Sequence, residues 1–204
     1  MPLACLHKPI YARRIEVLSS LIAKQLREND RVLDIGSGSG ELAAQIGKRA
    51  SESDIVITIQ GAEKHPRGDE SVETIAFDGY AIPVADGHYD VTILADVVHH
   101  EEDFMKLLRE AVRVTKRYFI IKDHVANGFL AYPRICFMDW AANNPYGVKC
   151  LYRYFSVAEW QQHYEELGLT VAHELQSIRL YPEPFNFIFG NELQYFAVLK
   201  KMSL

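Results

Sequence analysis

The chain has none of the features that would tie it to a membrane, a nucleic acid or a secreted scaffold. No apolar run approaches the ~20 residues that a membrane-crossing helix needs, and no basic segment leads into an apolar core and cleavage site at the N-terminus. Lys and Arg number 22 against 27 Asp and Glu, a net charge of −5 without a basic cluster, so nucleic acid is not expected as a partner. The three cysteines, Cys5, Cys136 and Cys150, form no C-x-x-C pair and leave an odd count. That suits free thiols in a reducing compartment, and the expectation is a cytoplasmic chain with no membrane partner. Repeats and low-complexity stretches are also missing. At 204 residues the simplest organisation is a single domain over 1–204, enough to bury roughly 70% of its unfolded surface in one core.

What is present is organised around Val32-Leu33-Asp34-Ile35-Gly36-Ser37-Gly38-Ser39-Gly40-Glu41-Leu42-Ala43. An apolar strand-type run ends in three alternating glycines and passes into the helical pattern Leu42, Ala43, Ile46. A strand, a tight loop and a helix N-terminus offer backbone N–H groups and a positive dipole end to a closely approaching ligand. Spacing narrows the ligand class. The sixth position of a dinucleotide fingerprint should be Gly or Ala and is Glu41, and the Gly-Lys-Ser/Thr ending of a phosphate-binding loop is missing.

The remaining pattern alternates helix and strand. Ile15, Leu18, Leu21, Ile22 and Leu26 predict an amphipathic helix over 11–28, with Arg13 and Arg14 on its early turns. Strands are predicted at 31–35, 54–62, 74–79, 91–95, 118–122, 170–180 and 192–200, with helices from 41 to about 49, from 101 onward and over 156–167. Ser156 with Glu159 forms a capping box for the last of these. Polar residues recur where strands end: Glu63, Asp78 with Gly79, Asp96, and Lys122-Asp123-His124. In an open α/β sheet these positions share one ligand-facing edge.

Between the fifth strand and the 156–167 helix lie residues 125–155, far more than the ~2–6 usual for such a connection. The insert holds Phe129, Tyr132, Phe137, Trp140, Tyr146, Tyr152, Tyr154 and Phe155, with Leu130, Ile135 and Met138 predicting a helix. It reads equally as a substrate lid, a satellite core or a contact for a homodimer.

The stretch Leu33 to Gly40, the Gly61-Ala62-Glu63 triplet, Asp78, the Ile82-Pro83 turn and Ala95-Asp96-Val97-Val98-His99-His100 together resemble the class I S-adenosylmethionine-dependent methyltransferases. The resemblance covers about residues 11–200. It implies a three-layer α/β/α fold: a Rossmann-like, doubly wound, seven-stranded sheet, mostly parallel with an antiparallel last strand. It also implies S-adenosylmethionine at Asp34, Gly36, Ser37, Gly38, Gly40, Glu63, Asp78, Gly79, Ala95, Asp96 and Val97. Glu63 would take the ribose hydroxyls, Asp78 the adenine amino group and the Ala95 carbonyl the methionine ammonium. The methyl acceptor would be a small molecule, apolar or aromatic if the insert covers it. Ser37 replaces a common Cys or Ala, and Thr115-Lys116-Arg117 replaces a common Pro-Gly-Gly turn.

Asp123, His124, His99 and His100 are the candidates for catalysis, since a carboxylate beside an imidazole can orient and abstract. No metal site is expected, because His99 and Asp103 at i,i+4 lack further ligands. The alternatives are an NAD(P)-dependent oxidoreductase and a non-catalytic cofactor-binding or interaction module.

Overall fold

A computed structural model describes residues 4–143, 150–183, 185–186 and 190–202. The predicted position Tyr146 lies outside this set. Seven strands form one sheet, β1 (Arg31–Ile35), β2 (Thr58–Glu63), β3 (Thr74–Ala76), β4 (Tyr89–Ala95), β5 (Thr115–His124), β6 (Leu169–Leu175) and β7 (Gln194–Lys201). Their order is β3-β2-β1-β4-β5-β7-β6, and only β7 runs antiparallel to its neighbours. This is the Rossmann-like architecture expected from the sequence. The order reverses between β1 and β4, so their carboxyl ends form the crevice where such folds hold ligands.

Period-two alternation along the central strands sends apolar side chains to both faces. Leu33 and Ile35 join Ile121, Leu94 and Tyr195 on the face covered by α3 (Phe104–Val114) and α5 (Val157–Glu166). Val32 joins Ile93, Ile120 and Phe196 on the other face, against α1 (Ala4–Ala23) and α2 (Glu41–Ser51). A third, smaller core sits at the edge of the sheet. Ala131, Ile135 and Met138 of α4 (Ala131–Asn143) pack there with Tyr154 and Leu193.

Several boundaries differ from the sequence pattern. The first helix covers 4–23 rather than 11–28. Its end is set by the turn bonds Gln25 N to Ile22 O and Leu26 N to Ala23 O, which bring Asp30 back onto Arg27 N and Arg117. β2 begins at Thr58 rather than Asp54, because Val56 is tied to Asn29 and Glu28 instead of to a neighbouring strand. β3 stops at Ala76, where the chain turns through Asp78. α3 starts at Phe104, after a 3₁₀ turn over Val98–His100. β6 stops at Leu175. β5 runs longer than predicted, 115–124, because Asp123 and His124 pair with Tyr195 and Gln194 of β7. The capping box forms as expected, with the Ser156 and Glu159 side chains each meeting the other's backbone N–H.

Candidate functional site

The two halves of the site are built differently. On the β1 side the loop from Gly36 to Gly40 is backbone. Gly36, Gly38 and Gly40 all have positive φ, and a Cβ on Gly36 would lie 2.6 Å from a methyl of Val97. A Cβ on Gly38 would meet nothing within 4 Å, so the loop faces open space there. The Gly36 and Ser37 N–H groups donate to Ala62 O, and Gly40 N to Ser37 O, which fixes the turn. Ser37 Oγ is buried with no hydrogen-bond partner among the described residues. That hydroxyl lies against Gly61, where an added Cβ would come within 2.4 Å of it, so the side of the loop open to a ligand is the backbone at Gly38.

Around this loop stand the predicted acids. Asp34, 2% exposed, has its carboxyl pushed up to about 7 by burial; Arg14 opposes the shift and Glu63 adds to it. A cation placed beside it would be welcomed. Glu63 accepts from Gly38 N at 2.9 Å and from Lys64 N at 2.8 Å, so its carboxylate lies against the glycine loop. Asp78 is exposed and accepts through Oδ1 from Tyr80 N and Ala81 N, both at 2.7 Å, which hold its carboxyl below the usual range. Beside it, the side chain of Lys64 packs on Gly79, and its ammonium meets both oxygens of Glu101 at 2.6 Å.

Ala95 ends β4 and leads into Asp96, which has φ +60 and donates its N–H to Lys122 O. The Asp96 carboxylate is a hub. Arg14 reaches it from α1 at 2.6 and 3.0 Å, the fully buried Lys122 binds it, and His124 Nε2 lies 3.9 Å away. These cations hold its carboxyl well below the usual range, against burial.

On the β5 side the site is made of side chains. Alternation along β5 separates Lys122 and His124 from Asp123. His99 Nδ1 meets Asp123 Oδ1 at 2.5 Å, and His124 N donates to the same oxygen at 2.7 Å. His99 packs on His100 and His124, with ring centroids 4.1 and 5.4 Å apart. Asp139 of α4 faces both His99 and His100, and Tyr154 O–H donates to its Oδ2 at 2.6 Å. Burial and Lys122 push the His124 imidazole down to about 4, whereas carboxylates raise that of His99 despite burial. The four predicted catalytic residues are therefore gathered in one place, with all eleven predicted cofactor residues along the same carboxyl edge.

Arg13 and Arg14, which from sequence could reach a cofactor carboxylate or be solvated helix charges, part company: Arg14 bonds Asp96 while Arg13 pairs with Glu16. Other members of the site were not singled out from sequence. Asp139 carried a signal that went unread: it lies four residues after Ile135 and next to Met138, so an acid falls on the apolar face of α4. Lys64, Glu101 and Gln194 carried no local signal.

This sheet order and glycine-loop edge define the S-adenosylmethionine-dependent methyltransferases of class I type. The model of the family described as "Methyltransferase domain" matches residues 10–174, and the chain belongs to that family. It is 30% identical over 157 residues to the 27-O-demethylrifamycin SV methyltransferase of Amycolatopsis mediterranei, covering 71% of this chain and 55% of that protein. It is also 30% identical over 112 residues to the uncharacterized methyltransferase YcgJ of Bacillus subtilis, covering 50% of this chain and 44% of that one. The chain thus spans about half the length of these curated relatives. In fold, it resembles a Thermotoga maritima S-adenosylmethionine-dependent methyltransferase with a TM-score of 0.67 at 19% identity, covering 98% and 93% of the two chains. The solved YcgJ structure gives 0.62 at 18% identity, covering 91% and 98%. No helix among the described residues is long and apolar enough to cross a membrane.

Proposed function

We propose that this chain transfers a methyl group from S-adenosylmethionine to a small apolar or aromatic molecule by in-line displacement. The observation that supports this reading is the meeting of two unlike half-sites at one sheet edge: a backbone cradle with nearby acids, and a buried imidazole–carboxylate cluster. The cofactor supplies a methyl group already activated by its sulfonium. The protein's work is then to hold the acceptor in line and exclude water.

In this reading the Gly36–Gly40 loop and the N-terminus of α2 face the cofactor. Glu63 accepts from the ribose hydroxyls, and Asp78 from the adenine amino group through its carboxylate. The Ala95 carbonyl accepts from the ammonium, and Val97 lies against the adenine. Arg14 and Lys122 hold Asp96 in place. Across the edge, Asp123 orients His99. His124 stands between the Asp96 hub and His99 and, held neutral by burial and Lys122, can accept a hydrogen bond from a hydroxyl or amine acceptor. The described part of the insert, with Asp139 of α4 and Tyr154 beside the imidazoles, covers the acceptor side and sets its apolar character.

Titration calorimetry with S-adenosylmethionine, S-adenosylhomocysteine and NAD(P)H tests the cofactor, and a screen of small aromatic acceptors tests turnover. Saturable binding of the first two alone supports the proposal. Binding of the nicotinamide alone restores the oxidoreductase alternative, and binding of none leaves the interaction module.

A further inference from the structure

The geometry points to a divalent transition-metal site formed by His99, His100 and Asp139, of the class that takes zinc or iron(II). Consecutive residues of the 3₁₀ turn Val98–His100 aim their Nε2 atoms at the same oxygen. His99 Nε2 lies 3.8 Å and His100 Nε2 3.7 Å from Asp139 Oδ1, and all three donor atoms fall within 4.8 Å of one another. These separations are too long for hydrogen bonds. The two nitrogen–oxygen separations suit atoms sharing a cation instead: two ligands each ~2.0–2.1 Å from a zinc-sized ion stand ~3.3 Å apart in a tetrahedron and ~4.1 Å apart at most, so any wider pair in the cluster draws in on binding.

The supporting contacts have the form that metal ligands require. Asp123 holds His99 through Nδ1, leaving Nε2 as the atom presented to the cluster, in the carboxylate–histidine arrangement that orients metal-bound imidazoles. Tyr154 O–H donates to Asp139 Oδ2, and Oδ1 of the same carboxylate is the oxygen that lies 3.8 and 3.7 Å from the two imidazole nitrogens. The second oxygen of Asp123, Oδ2, is buried without a hydrogen-bond partner among the described residues. The pocket thus brings two buried carboxylates to its imidazoles, and a divalent ion would neutralise them. His99 and Asp139 are 3% exposed, whereas the His100 side chain keeps 19% of its surface, so the cluster opens on the His100 side.

Two nitrogens and one carboxylate oxygen are a donor set for borderline divalent ions, and three protein ligands leave a position for a further oxygen. At this edge that position would hold the oxygen of a hydroxylated acceptor and favour its deprotonation. This role rests on the methyl-transfer reading; the metal site does not.

The test is titration of the tag-free chain with Co²⁺, followed by visible absorption, and with Zn²⁺ in competition. Saturable binding of one ion per chain with ligand-field bands is expected, weakened about 100-fold in Asp139→Asn and in His100→Gln. His100→Gln, at the partly exposed edge, keeps the test intact if Asp139→Asn fails to fold. Absence of saturable binding by the folded wild-type chain overturns the site, as does binding undiminished in a folded variant. Calorimetry with S-adenosylmethionine on the same samples separates failure of the metal site from failure of the methyl-transfer reading.

Discussion

The glycine-loop edge and the β5–α4 cluster contrast in how each is made. The first is assembled mostly from backbone within short stretches, 34–40, 61–63, 78–79 and 95–97. Its chemistry depends on conformations that only certain residues adopt. The second is assembled from side chains that lie far apart in sequence, His99 and His100, Asp123 and His124, Asp139 and Tyr154. A local backbone device leaves a sequence signature; a convergence of side chains depends on pairing and packing, and leaves almost none.

The contrast breaks first at Asp34. Its folded carboxyl titrates at about 7, above its ordinary range, so the native state holds a proton that the unfolded chain releases. The contribution of this group to stability should therefore fall as pH rises from about 4 to about 7 and stay low above that, by on the order of 4 kcal/mol; the buried His124, held near 4, works in the opposite direction below about 6.5. Asp34→Asn should remove the Asp34 part alone. Denaturant unfolding of the wild-type chain and of Asp34→Asn at pH 5 and pH 8 checks this, and a variant whose stability changes between the two pH values as the wild type's does would sink the prediction. A cationic cofactor beside Asp34 would favour its ionised form, so affinity for S-adenosylmethionine should rise through the same interval.

Next in size is Asp123→Asn. It should leave cofactor affinity within about twofold and cut turnover about 10²-fold or more, the scale of a lost acid–base partner. Parallel calorimetry and rate measurements would show the two halves separating. Equal losses in both would mean the cluster also shapes the cofactor edge.

Gly36→Ala should act on the other half. Its positive φ and the approach to Val97 should cost ~1–3 kcal/mol and weaken cofactor binding. Thermal unfolding with and without cofactor checks it. The smallest effect is expected outside both halves: Ser156→Ala removes the cap of α5 and should cost ~1 kcal/mol with activity unchanged.

The same contrast explains what the sequence revealed. The strand Arg31–Ile35, the glycine loop and the capping box of Ser156 and Glu159 were legible because each depends on local spacing, whereas the sheet with its antiparallel final strand was expected from the family resemblance. The ends of the first helix and of β2 were not legible. They are set by contacts of Asp30 and Val56 with distant segments. Asp123 and His124 were expected to follow a strand and instead continue one, since pairing with β7 extends it. The bond of Arg14 to Asp96 spans 82 residues, and the approach of Asp139 to His99 joins a helix of the insert to the turn after β4. The insert itself offered its aromatics as one group, yet they divide: Tyr154 is buried in the small core, while Phe129, at 88% exposure, faces solvent.

The most direct test of two separable half-sites at one edge is calorimetric titration of S-adenosylmethionine into the wild-type chain and into Asp123→Asn. The account predicts saturable, nearly equal binding to both, with no heat from NAD(P)H. Failure of the folded wild-type chain to bind, or loss of binding on changing Asp123 alone, would contradict it.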